Sequence, residues 1–125
     1  TTLFRSAENV ESSQMLNLLY FSLRALSLKS LKARLVKCVY ELKMLVINGL
    51  CPAPDRIFSG TGIYTFAQKT GAGARKAFNY VRESEVEKLF TFTLSDEALA
   101  DFEDLTSDLI RMNVDRPMKS LSLLD

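Results

Sequence analysis

Two consecutive apolar runs constrain this chain most: "ESSQMLNLLYFSLRALSL" from Glu11 to about Leu28, and "SLKARLVKCVYELKMLVINGL" from Ser30 to Leu50. Both are rich in helix formers, and their few polar side chains recur at helical spacing. In the first, Ser13, Asn17 and Arg24 share one narrow stripe, so the rest of the surface is apolar and the helix is predicted to be mostly buried. In the second, Arg34, Lys37 and Glu41 share a stripe while Leu35, Val39, Leu42, Leu45 and Val46 take the opposite side. Neither run suits a bilayer, because Arg24 and Lys29 interrupt one and Lys37, Glu41 and Lys43 the other. Asn48-Gly49 offers a left-handed helix stop, and Pro52 blocks a restart. Helix-on-helix packing is the architecture these runs demand.

Beyond Pro52 the pattern changes. Residues 51–72 hold two of the three prolines, and the alternating "GIYTFAQ" reads as a short strand. This section is expected to be loop plus a small β element, packed through Ile63 and Phe66 or through Ile57, Phe58 and Tyr64. A helix follows that carries Phe78 and Val81, ends near Ser84, and extends its apolar face toward Val86 and Leu89. Ser95 is a good N-cap, with Asp96 and Glu97 in the first turn. Its helix should place Leu99, Phe102, Leu105, Leu109 and Met112 inward, and Glu97, Asp101, Asp104 and Asp108 outward. Pro117 stops the helix, and Leu121, Leu123 and Leu124 form a tail expected to dock on the core.

The chain is thus expected to be one mainly α domain over residues 1–125, a helical bundle with a small irregular or β insert. Residues 9–50 supply two apolar helices, 51–72 the insert, and 73–125 the C-terminal helices and tail. At 125 residues a single core needs no staples. The chain opens on Thr1-Thr2 with no initiator methionine, which reads as a piece of a longer protein. A cytoplasmic location is expected from the two cysteines, Cys38 and Cys51, which read as reduced thiols.

Chemistry is limited by what is missing. With no histidine, the chain by itself supplies no Ser-His-Asp or Cys-His site and no His-bearing zinc centre. "TGAGARKAF" runs into a probable helix and its amides are a candidate anion site, but it lacks phosphate-loop spacing. Charge is uneven: residues 1–82 hold 12 basic and 4 acidic side chains, residues 83–125 hold 4 and 11. Arg24, Lys29, Lys32, Arg34, Lys37, Arg75, Lys76 and Arg82 are therefore candidates for a patch that meets nucleic acid or an acidic peptide. The other reading is two solvated faces that pair with each other.

Two anchors resemble a known family. "YELKMLVINGLCP", with Tyr40, Glu41, Leu42, Leu45, Gly49 and Pro52, and the ending "RPMKSLSLL", with Arg116, Pro117, Met118, Lys119, Ser120 and Leu124, resemble the C-terminal helical domain of RecO, the bacterial recombination mediator. The resemblance implies a non-enzymatic DNA repair module that, after an N-terminal OB-fold, engages RecR and the acidic C-terminal tail of single-stranded DNA-binding protein. It also implies binding of single- and double-stranded DNA, strand annealing and RecA loading. Many members carry a zinc site of two C-x-x-C pairs. Laid on those pairs, Arg56 and Ser59, then Ala74 and Ala77, stand where cysteines would be, so no zinc and no other cofactor is expected. Cys51 then reads as a small apolar residue at a helix end. An acidic tail that ends in an apolar residue needs an apolar pocket rimmed by cations. Arg34 and Lys37 are the first candidates, followed by Arg24, Lys32, Arg75 and Lys76. Lys119 and Ser120 read as structural, satisfying backbone groups at a helix end. A generic helical interaction scaffold unrelated to recombination is the alternative.

Overall fold

A computed structural model describes the backbone of residues 2–28, 31–59 and 62–113, with side chains from Ser13 onward except at positions 62, 63 and 65. It contains α1 (Thr2–Leu28), α2 (Ala33–Ile47), α3 (Pro54–Phe58), a 3-10 helix (Gly62–Lys69), α4 (Ala72–Glu83), a 3-10 turn (Val86–Lys88) and α5 (Asp96–Met112). The protein is a mainly α bundle, with no strand among the described residues.

The second apolar run forms the centre. α2 packs against α1, α4 and α5, while α3 packs on the Gly62–Lys69 helix and the Val86–Lys88 turn packs under α1. Leu35, Val39, Leu42 and Leu45 are buried as their spacing predicts. The stop is also as expected: Gly49 has φ 73°, and the amide of Leu50 donates to the Leu45 carbonyl at 2.8 Å. α5 begins on its predicted cap, the Ser95 Oγ accepting from the Ala98 amide at 3.2 Å. Leu99, Phe102, Leu105 and Leu109 are buried beneath it.

Four expectations are corrected. The "GIYTFAQ" segment is a 3-10 helix kinked at Tyr64 (φ −101°, ψ 19°), not a strand. A lone strand has no ladder partner, whereas a helical turn satisfies its own backbone and lets Ala67 reach the core. α1 is not mostly buried: Leu18, Ser22 and Ala25 face inward, but Leu16, Leu19, Tyr20, Leu23 and Leu26 are exposed. The reason is cover, since only α2 and the Val86–Lys88 turn make substantial packing with this helix among the described elements. Met112 is exposed rather than inward, because it is the last residue of α5. Val86 and Leu89 are not an extension of α4, which ends at Glu83. They belong to the following turn, where Leu89 is fully buried and the Tyr80 hydroxyl donates to the Lys88 carbonyl at 2.8 Å. The side chain of Ile63 and the tail calls at Pro117, Leu121, Leu123 and Leu124 lie outside the described residues. No described helix is long and apolar enough to cross a membrane.

Candidate functional site

The basic candidates divide into those the fold engages and those it leaves at the surface. Lys32 and Arg34, at the start of α2, reach across to α5. Lys32 pairs with Asp96, and Arg34 grips Glu103 with two nitrogens, Nε lying 3.1 Å from Oε2. These hydrogen bonds hold the Asp96 and Glu103 carboxyls below their usual range. Here the basic and acidic parts of the chain pair with each other. Arg75 is engaged as well. Its Nε donates to the Thr70 carbonyl at 2.9 Å, and its guanidinium sits 4.8 Å over the Phe58 ring, so it ties α4 to the preceding insert.

Lys37 and Lys76 are exposed, and Arg24 is exposed on α1. Arg24 lines a cavity of about 160 Å³ together with Phe21, Ala25, Leu28, Phe90 and Glu87. Four apolar side chains thus share the pocket with one cation and, in Glu87, an opposing charge. Tyr40 and Glu41 are half-buried on α2, with Tyr40 packed on the core. Arg116, Pro117, Lys119 and Ser120 lie outside the described residues.

Where the resemblance would put zinc ligands, the side chains do not fit the metal. Ala74 and Ala77 are buried with their methyl groups in the core, and Arg56 and Ser59 are exposed. None offers a thiolate or imidazole. Packing occupies this region instead: Ile57 is fully buried, and Phe58 meets Phe78 edge to face at 5.4 Å. Among the described residues no group of three or more His, Cys, Asp or Glu is placed to hold a metal. Burial pushes the Cys38 thiol up to about 12 and the Cys51 thiol up to about 11, the latter despite Arg82 and Lys43 nearby. A raised pKa favours the protonated thiol, the less nucleophilic and less metal-binding form. Metal analysis of purified protein is expected to find no stoichiometric zinc; one zinc per chain would overturn this reading.

At "TGAGARKAF", the weak candidate for an anion site, a carboxylate of the chain itself stands beside the helix start. Gly71 is the N-cap of α4, and a Cβ built there would lie 2.8 Å from the Asp101 Oδ2; one on Gly73 would lie 3.0 Å from the Ala98 Cβ. The two glycines let α4 approach α5 closely, and the Asp101 carboxylate stands near the positive end of the α4 dipole.

One feature escaped the sequence reading. Lys43 is buried, its Nζ donating to the Val81 carbonyl at 3.2 Å and the Ser84 carbonyl at 2.7 Å. It caps the C-terminus of α4 from α2, and burial lowers its pKa. The signal was its position, opposite the Arg34, Lys37 and Glu41 stripe on an otherwise apolar face. Comparison of the chain with protein-family models, with curated proteins and with solved structures finds no match.

Proposed function

We propose that this chain is the C-terminal helical domain of a RecO-type recombination mediator. In this reading it performs no catalysis. It docks partner proteins, RecR and the acidic tail of single-stranded DNA-binding protein, and supports single- and double-stranded DNA binding, strand annealing and RecA loading. The observation that carries the reading is the order of features along the chain. "YELKMLVINGLCP" ends α2 at a left-handed Gly49, an insert held by packing follows, and the Ser95-capped α5 leads toward "RPMKSLSLL".

In this reading the cations that meet an acidic tail are those the fold leaves at the surface. Lys32, Arg34 and Arg75 already have partners inside the fold. Arg24 stands beside the Phe21, Ala25, Leu28 and Phe90 pocket, which has room for one apolar side chain, and Lys37 is exposed on α2. The test is titration of a labelled peptide copying the acidic tail, at low and moderate salt. Salt-sensitive binding, weakened in Arg24→Ala or Lys37→Ala and tightened in Glu87→Gln, supports the docking site. No binding at tens of micromolar would return the scaffold reading, which the exposed apolar face of α1 favours.

A further inference from the structure

The first apolar run was expected to be buried because it is apolar almost all round, and a helix of that kind is ordinarily enclosed. The structure encloses one arc of it. Leu18, Ser22 and Ala25 face α2 and the Val86–Lys88 turn. Another arc, Leu16, Leu19, Tyr20, Leu23 and Leu26, lies between 40% and 63% exposed.

Its leucines are spaced three, four and three residues apart. That is the a and d rhythm of a coiled-coil seam, the pattern that receives another helix as knobs into holes. A loop or extended peptide would not need this spacing. We propose that the arc is the self-association surface of this chain, closed by α1 of a second copy running antiparallel to it.

The pairing is self-complementary, as a two-fold interface requires. A two-fold axis through the arc, midway between Leu19 and Leu23, sets Leu16 against the partner's Leu26, and Leu19 against the partner's Leu23. Arg24 flanks the arc beside Glu87 and is not brought onto the axis. The area is adequate. With roughly 200 Å² for a fully exposed leucine or tyrosine, the five residues contribute on the order of 500 Å² per copy. Two copies would bury on the order of 1,000 Å², the lower bound of specific interfaces, so a reversible dimer is expected. This inference does not rest on the recombination reading, and the experiments are separate.

The test is sedimentation velocity on the whole chain from about 1 µM to about 200 µM, where a modest interface passes from monomer to dimer. Wild type is expected to shift to dimer across that range. Leu19→Glu/Leu23→Glu is expected to stay monomeric with unchanged helical circular dichroism, because both positions are exposed in the monomer. Should that double variant misfold, Leu23→Ala supplies the milder test, weakening the dimer at least several-fold. Mixing Leu16→Cys with Leu26→Cys protein should give a disulfide-linked heterodimer on oxidation. Wild type that remains monomeric throughout overturns the proposal. A dimer indifferent to the glutamates overturns it too.

Discussion

The two apolar runs are neighbours in sequence and similar in apolar content, yet α2, formed by the second, is enclosed and α1, which carries the first, is half open. α2 has partners on three sides, α1, α4 and α5, and it carries charges that use them. Lys32 and Arg34 at its start meet α5, and the buried Lys43 near its end caps α4. Among the described elements, α1 packs substantially only on α2 and one 3-10 turn. Apolar content alone therefore does not decide burial in this protein. What decides it is how many elements arrive to cover a helix, and whether its polar groups find partners there.

The largest expected effect breaks the comparison directly. Leu42→Ala removes a fully buried side chain from α2 and should cost about 2–5 kcal/mol. Leu23→Ala on α1, measured where the protein is monomeric, should stay within about 0.5 kcal/mol. Urea unfolding followed by circular dichroism measures both, and similar losses would mean that the two helices are equally enclosed.

Lys43→Met comes next. It keeps the apolar stem but leaves the carbonyls of Val81 and Ser84 without their donor, at about 1–3 kcal/mol. A neutral result would show that water or another group replaces the ammonium, and that α2 holds α4 by packing alone. Ser95→Ala tests the helix that α2 leans on. Loss of the Oγ bond to the Ala98 amide should cost about 1 kcal/mol, read as a lowered urea midpoint.

The smallest effect concerns the ion pairs between α2 and α5. Asp96 and Glu103 titrate below their usual values of 3.8 and 4.5 in the folded protein. A carboxyl depressed by folding adds stability that is present above its unfolded value and is lost as pH falls through the folded one. Stability should therefore decline as acid is added from about pH 5 downward, and Glu103→Gln should flatten part of that slope. Because both pairs are exposed, moderate salt should shrink the effect. A slope unchanged by Glu103→Gln would place the acid sensitivity elsewhere.

Legibility followed the range of the interactions. The left-handed stop at Gly49 and the cap at Ser95 depend on a few adjacent residues, and both stand where the residues predicted them. The segment from Gly62 to Lys69 alternates like a strand but forms a 3-10 helix, because alternation over a few residues describes a strand only if another strand pairs with it. Within the candidate site, the basic residues could be named from the sequence, but not which of them were already engaged. Arg34 meets Glu103 across a separation of 69 positions, and no local pattern encodes that distance.

By itself, then, the sequence determined the helical class, the central apolar face of α2, the main helix stops and the absence of histidine chemistry. These follow from spacing, capping and composition, which act over one or two turns. Tertiary structure alone decided that Arg34 and Lys32 are paired, that Lys43 is a buried cap, and that Asp101 stands at the start of α4. It also left Leu16, Leu19, Leu23 and Leu26 of α1 exposed. Each of these depends on which distant element arrives beside a residue, and burial and electrostatics are set by that arrival rather than by the residue's own type.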